Sequence, residues 1–245
     1  MKPLAAVTFD CWNTLLVDRA LDAARALRVA ALIEAAVAHG IQLEDARALA
    51  VIRAAHLRHV ELWSRGVGSG SLEMAGWSLE AVGIHGASLA PDLGHRFEEA
   101  GLAGSVAALP GAGDTLEALR RRGVRTALVC DTGFSGGRVV RQFLARVGLL
   151  ELLEVQVFSN EVGVPKPHRR MFDAALEPLA VAADDAVHVG DLKRTDVQGG
   201  RGAGMGTVRI HATYDDPEDF PEADAVTGAH ADLADALAMA QSRSR

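Results

Sequence analysis

The hydrophobic pattern changes character along the chain. Residues 4–9 form a short apolar run that ends at Asp10, which is typical of a strand buried on both faces. From about residue 18 to 101 the apolar positions recur with helical spacing, and glycines at Gly40 and Gly66 follow the first two predicted helices. The helices predicted for this segment cover residues 19–39, 43–65, 72–82 and 89–100. This segment is therefore predicted to be all-helical.

From residue 109 onward, strand-like and helix-like segments alternate. The predicted strands cover residues 125–130, 155–158, 186–189, 207–210 and 224–227. The predicted helices cover residues 114–122, 137–147, 168–176, 195–203 and 231–240. Such alternation predicts an α/β fold, a Rossmann-like parallel sheet with helices on both faces, plus a smaller all-helical cap. The predicted domains are residues 1–17 and 103–245 for the core and 18–102 for the cap.

Composition narrows the classes of function. The 245-residue chain has 49% hydrophobic residues and a formal net charge of -7, so no basic field would attract nucleic acid or an anionic membrane. No signal peptide or membrane-length apolar run is evident, so a cytoplasmic protein is expected. The two cysteines, Cys11 and Cys130, are expected to be free thiols. The last five residues are expected to be disordered.

Polar residues cluster where the predicted core strands end, which is where open α/β sheets bind ligands. These positions are Asp10, residues 130–132, Lys166, and Asp191 with Asp196. Taken singly, each has an ordinary explanation: an aspartate after a strand as a turn or helix cap, and Lys166 as a solvated loop residue. Together they would place several carboxylates on one rim, and these would repel one another unless a cation offset them. Mg²⁺ suits such a site, and an ionised Asp10 could then act as a nucleophile.

The order and spacing of these positions resemble the haloacid dehalogenase (HAD) superfamily of hydrolases with a helical cap inserted after the first strand. The four family motifs correspond to Asp10–Thr14, Cys130, Lys166, and Gly190–Asp191 with Asp196. The resemblance covers about residues 1–17 and 109–227. It implies a small-molecule substrate, in the first instance a phosphorylated one, and leaves a homodimer open.

The resemblance also implies roles for individual residues. Asp10 would attack phosphorus, and Lys166 would keep Asp10 ionised. The Mg²⁺ ligands would be Asp10, Asp191 and the backbone carbonyl of Trp12, with Asp196 as a further, supporting member of the metal site.

The second motif departs from the family pattern, which has a hydroxyl residue where this chain has Cys130. A thiol is a weak hydrogen-bond donor, so Thr132 is expected to supply the hydroxyl and both residues are assigned to the catalytic set. Trp12, Asn13 and Asp131 are expected to bind substrate.

Trp12 is the larger departure. In the family's phosphatases this position is an aspartate that protonates the leaving group and then activates water, and losing such help typically costs roughly 10²–10⁴-fold. The family's dehalogenases, which use no Mg²⁺, carry a tyrosine there. Three interpretations stay open. The first is a Mg²⁺-dependent phosphohydrolase with a good leaving group or an acid borrowed from Asp18 or Asp131, the second is a metal-free 2-haloacid hydrolase, and the third is a weakly active or non-catalytic protein with a binding role. The first is favoured.

Three histidines need a separate interpretation. His188, within the strand that precedes Asp191, is expected to be a packed strand residue. His56 and His59 lie three residues apart on one helix face, a spacing that could hold a metal, but packing is favoured because no third ligand is evident.

Overall fold

The computed structural model describes residues 4–86 and 88–243 and divides the chain into two compact units. The core unit consists of Met1–Val17, Ala107–Asp131 and Leu144–Arg245. The helical unit consists of Asp18–Val106 and Thr132–Phe143. The predicted domain boundaries at 17/18 and 102/103 remain predictions. The compact units differ from them because residues 103–106 and 132–143 group with the helices.

Within the described residues, eight strands form two sheets. The strands are β1 (Ala6–Phe9), β2 (Leu16–Ala20), β3 (Ser105–Ala108), β4 (Arg125–Cys130), β5 (Val155–Phe158), β6 (Ala186–Gly190), β7 (Gly206–Ile210) and β8 (Ala225–Thr227). The core sheet has the order β5-β4-β1-β6-β7-β8 and its neighbouring strands are parallel. The predicted α/β class is confirmed.

Helices account for most of the remaining chain. They are α1 (Asp22–Ala38), α2 (Asp45–Ser64), α3 (Ser71–Ala81), α4 (Ala90–Ala100), α5 (Ala112–Arg121), α6 (Gly137–Arg146), α7 (Ser159–Val162), α8 (Arg169–Leu179), α9 (Gln198–Ala203) and α10 (Leu233–Arg243). Gly40 and Gly66 follow α1 and α2 with φ of 73° and 74°, the left-handed conformation that ends many helices. No helix within the described residues is long and apolar enough to cross a membrane.

Each unit has its own apolar core. In the core unit, side chains of β4, β5 and α8 pack together, among them Val129, Val157 and Phe172. In the helical unit, α1–α4 bury residues such as Leu32 and Phe97. All four residues of β1 are fully buried, so the apolar run that predicted this strand is explained by its position in the middle of the sheet.

Two expectations about secondary structure were wrong. The segment predicted to be all-helical begins within β2 and is followed by β3, and these two strands pair with each other in a separate sheet. Both are short, β2 is largely exposed and β3 is mostly half-buried, so they lack the apolar signal of a buried strand. The tail expected to be disordered is helical through Arg243, because α10 continues that far. Residues 244–245 lie outside the described residues.

Candidate active site

The central strand β1 delivers Asp10 to the carboxyl end of the sheet. The Asp10 backbone N–H donates to the Val189 carbonyl at 2.8 Å, which extends the β1–β6 pairing by one residue. Lys166 Nζ donates to Asp10 Oδ1 at 2.5 Å and to Asp196 Oδ1 at 2.6 Å. Because the Lys166 side chain is only 1% exposed, its ammonium is a buried bridge between two carboxylates.

Three buried carboxylates share this site. One oxygen from each of Asp10, Asp191 and Asp196 lies within 4.8 Å of the others. Burial raises the pKa of Asp10 to about 7, against the attraction of Lys166. Burial, followed by the negative charges of Asp10 and Asp196, raises the pKa of Asp191 to about 8. One ammonium therefore faces three carboxylates, and the site carries surplus negative charge when all are ionised.

The donor set fits a hard divalent cation. It consists of carboxylate oxygens, which Mg²⁺ prefers, and a cation would stabilise the ionised forms that burial disfavours. Asp10 and Asp191 combine carboxylate oxygens with raised pKa values, and this identifies them as the residues that gain most from such an ion.

Asp196 has a different environment from the other two acids. Its Oδ1 accepts from Lys166 and from His188 Nε2 at 3.2 Å, and its Oδ2 accepts from the Leu192 N–H at 3.0 Å. Burial opposes ionisation, but Lys166 and His188 hold the pKa of Asp196 below its usual range. A Cβ at Gly190 would lie 2.3 Å from Asp196 Cγ, so the glycine before Asp191 is required to make room for Asp196.

Asn13 and Asp131, both predicted to bind substrate, contact other site residues. Asn13 Nδ2 donates to Asp191 Oδ2 at 3.2 Å, and Asn13 has φ of 59°, which asparagine tolerates better than most residues. Asp131 Oδ1 accepts from the Lys166 backbone N–H at 2.9 Å. Both side chains thus orient the charged cluster, and their substrate contacts remain predictions.

The residues at the end of β4 are buried. Cys130 is fully buried, and its thiol donates to the Asp131 carbonyl at 3.2 Å. Hydrogen bonding with Cys11 and burial raise the pKa of Cys130 well above its usual value, so the thiol is neutral. Both cysteines are free, as expected. Thr132 is buried two residues after β4, and its catalytic role remains a prediction.

Trp12 lies in a tight loop directly after Asp10. The N–H groups of Leu15 and Leu16 donate to the Cys11 carbonyl at 2.9 and 2.8 Å, and the Asn13 N–H donates to the Leu16 carbonyl at 2.7 Å. The loop therefore has a fixed backbone, and the Trp12 side chain is half-buried. Its metal and substrate contacts remain predictions.

Sequence reasoning missed Thr8 and underestimated His188. His188 is packed, as expected, but both of its ring nitrogens also form hydrogen bonds. Nδ1 lies 2.7 Å from Thr8 Oγ1, and Nε2 lies 3.2 Å from Asp196 Oδ1. A usable signal was present: Thr8 lies two residues before Asp10, and His188 two before Gly190, so each pair occupies one face of its strand.

His56 and His59 pack within the helical unit. The His56 ring stacks on Phe134 at 5.8 Å and on His59 at 6.0 Å, and His59 Nδ1 hydrogen-bonds Ser69 Oγ at 2.8 Å. The Arg28 guanidinium lies 4.5 Å from the centre of the Phe134 ring. Among the described residues, the acids that could share one metal ion are the three aspartates of the core unit, and these histidines are not part of that group.

Comparison with known proteins identifies the family of the chain. Residues 4–204 match the haloacid dehalogenase-like hydrolases, and the chain belongs to this family of hydrolases. The family inferred from the motifs is confirmed.

Two curated relatives align with part of the chain. It is 37% identical over 107 residues to the glyceraldehyde 3-phosphate phosphatase of Methanopyrus kandleri, covering 42% of this chain and 44% of that protein. It is 36% identical over 124 residues to the pyrimidine 5'-nucleotidase YjjG of Escherichia coli, covering 50% and 53%. The chain thus spans about half the length of these relatives.

The fold is also similar to solved structures. One is a 2-haloacid dehalogenase from Pseudomonas syringae pv. Tomato DC3000, with a TM-score of 0.66 and 24% identity over 96% of this chain and 98% of that one. At this identity the likeness shows the fold and does not assign a reaction.

Proposed function

We propose that the chain is a Mg²⁺-dependent phosphohydrolase that acts on a small phosphorylated metabolite, with Asp10 as the nucleophile. The observation that carries this proposal is the buried Lys166 ammonium between Asp10 and Asp196, with Asp191 within 4.8 Å. Three carboxylates around one ammonium favour the binding of a divalent cation. In a metal-free reaction the surplus negative charge would stay uncompensated. The two phosphatase relatives point the same way.

The residues divide the work as follows. A carboxylate oxygen of Asp10 attacks phosphorus, the bond from phosphorus to the leaving oxygen breaks, and water later cleaves the aspartyl-phosphate to release phosphate. Lys166 keeps Asp10 oriented and ionised. Mg²⁺, held by Asp10, Asp191 and the Trp12 carbonyl, would offset charge on the phosphoryl oxygens. Asn13 orients Asp191, and Asp196 orients Lys166.

Trp12 limits the leaving groups that this site can expel. An indole cannot protonate a departing alkoxide, and the alternative acid Asp131 is engaged by the Lys166 N–H. Acyl and aryl phosphates, whose leaving groups depart without a proton, are therefore the expected substrates. Asp18, the second alternative acid, lies in β2, and its side chain is exposed.

An assay panel tests the reaction class. EDTA-treated protein is incubated with acetyl phosphate, p-nitrophenyl phosphate and 2-chloropropionate, each with and without Mg²⁺. Phosphate release that requires Mg²⁺ is expected. Chloride release without metal would instead favour a 2-haloacid hydrolase, the second candidate, for which Trp12 is the specific argument. No turnover of any substrate would favour a binding role.

The Trp12→Asp variant tests the missing acid. Because it restores a group that can give and take the proton, hydrolysis of alkyl phosphates should rise by about 10²-fold. Trp12→Asn is the matched control, since it opens the same space without an acid. Equal rates in the two variants would show that space, and not proton transfer, limits the reaction.

The cytoplasmic location and a homodimer remain predictions.

A further inference from the structure

A cross-strand pair lies beneath the charged cluster of the core unit. We propose that Thr8 and His188 act as a positioning pair that fixes Asp196, and through it Lys166, against Asp10. This inference rests on the proposed function for its kinetic consequence, but the hydrogen-bond arrangement can be tested without any activity.

The geometry forms a continuous chain of contacts. Thr8 and His188 are register partners in the parallel pairing of β1 with β6. Thr8 Oγ1 lies 2.7 Å from His188 Nδ1, and His188 Nε2 lies 3.2 Å from Asp196 Oδ1. The same Asp196 oxygen accepts from Lys166 Nζ at 2.6 Å. Thr8 and His188 are 0% and 1% exposed, so water does not compete for these bonds.

The partners assign the position of each hydrogen. The ionised Asp196 carboxylate only accepts, so His188 Nε2 must carry the hydrogen. In the neutral ring Nδ1 is then an acceptor, and the Thr8 hydroxyl must donate to it. The hydrogen bonds therefore run in one direction, from Thr8 through His188 to Asp196. Asp196 sets the tautomer, and Thr8 supplies the donor that the Nδ1 atom of this tautomer needs.

Packing prevents the His188 ring from leaving this position. The ring meets the edge of Phe172 at 89°, with centroids 5.0 Å apart. A Cβ at Gly200 would lie 3.1 Å from His188 Cβ, so α9 approaches the base of the side chain closely. With the ring held, Asp196 Oδ1 is held as well, and Lys166 stays within reach of Asp10.

A spectroscopic experiment tests the arrangement directly. The full chain is prepared with ¹⁵N-labelled histidine, and the His188 resonances are assigned by their loss in His188→Gln. We expect the Nε2–H tautomer in the wild type, Thr8→Ser and Thr8→Val, because Asp196 accepts from Nε2 in each. The Nδ1 resonance should stay at its wild-type position in Thr8→Ser, which keeps the hydroxyl, and should move in Thr8→Val, which removes the donor to Nδ1. An Nδ1–H tautomer in the wild type, or an Nδ1 resonance that does not move in Thr8→Val, would overturn the proposal.

Kinetics test the consequence. Thr8→Val should lower kcat by about 10–100-fold with little change in KM, and Thr8→Ser should recover most of the loss. Thr126→Val is the matched control, because Thr126 is also a buried strand threonine, but its hydroxyl donates to the Leu152 carbonyl at 2.6 Å. Equal losses in Thr8→Val and Thr126→Val would refute a positioning role. If the wild type hydrolyses no substrate, the proposed function fails. The His188 resonances then still test whether Thr8 and His188 form the proposed hydrogen-bonded pair.

Discussion

Two clusters of the core unit, one at Lys166 and one at Arg209, each join a cation to two carboxylates, and they differ in burial. Lys166 joins Asp10 and Asp196, whose side chains are 10% and 2% exposed. Arg209 joins Asp215 at 2.7 Å and Glu222 at 2.8 Å, whose side chains are 71% and 43% exposed. Solvent therefore screens the Arg209 cluster, whereas the Lys166 cluster is shielded from it.

The pKa values separate the two clusters further. Hydrogen bonds from Arg209 lower the pKa values of Asp215 and Glu222, as in any stable ion pair. At the Lys166 cluster burial instead raises the pKa of Asp10 to about 7. The number of ion pairs thus says little about function. A buried acid that its cation does not fully compensate is the feature that indicates a site for another cation or a substrate.

Removing the nucleophile should have the largest effect. Asp10→Asn keeps the shape of the side chain but cannot attack phosphorus, so kcat should fall on the order of 10³-fold or more. Steady-state assays with acetyl phosphate measure this loss, and circular dichroism checks the fold. Residual activity above a tenth of the wild type would mean that Asp10 is not the nucleophile.

Removing the buried cation should affect both activity and stability. Lys166→Met keeps most of the length of the side chain but leaves two buried carboxylates without the ammonium that they share. We expect kcat to fall by about 10²–10³-fold and the free energy of unfolding to fall by about 3 kcal/mol. Urea denaturation and steady-state assays measure the two effects. A fully stable variant would show that the acids need no compensation.

Mg²⁺ should stabilise the protein more at high pH. The folded-state pKa values of Asp10 and Asp191, about 7 and about 8, lie above the usual 3.8. The stability that these groups contribute in metal-free protein is therefore present at low pH and lost as pH rises through the folded values. Since Mg²⁺ competes with those protons, its stabilising effect should grow over the same range. Asp196, with a lowered pKa, changes only in acid.

Thermal unfolding with Mg²⁺ or EDTA, from about pH 5 to about pH 9, measures this effect. Asp191→Asn provides the control, because it should abolish most of the difference between Mg²⁺ and EDTA. A Mg²⁺ effect that is independent of pH, or that survives in Asp191→Asn, would place the ion elsewhere.

Breaking the exposed cluster should have the smallest effect. Arg209→Gln removes the cation but leaves Asp215 and Glu222 largely hydrated. We expect Tm to fall by no more than about 2–4 °C and kcat to stay unchanged. A loss as large as that of Lys166→Met would remove the distinction between the two clusters.

Much of the core could be predicted because its signals are local. The bounds of β4 and β5 are those predicted, since a strand buried on both faces is an apolar run with abrupt polar ends. The strands β2 and β3 were missed because they are short, pair with each other in a separate sheet and form no buried apolar run. His188 was underestimated because its partner Thr8 lies 180 residues away in the chain.

The sequence by itself determined which polar residues stand at the ends of buried strands, because a buried strand is a local apolar run whose ends can be located in the sequence. It therefore identified Asp10, Lys166 and Asp191 as candidates. Only the tertiary structure decided how they meet. The strand order places β1 between β4 and β6, and this brings Lys166 into contact with Asp10 and Asp196 and pairs Thr8 with His188. Strand order depends on long-range packing, which no local pattern encodes.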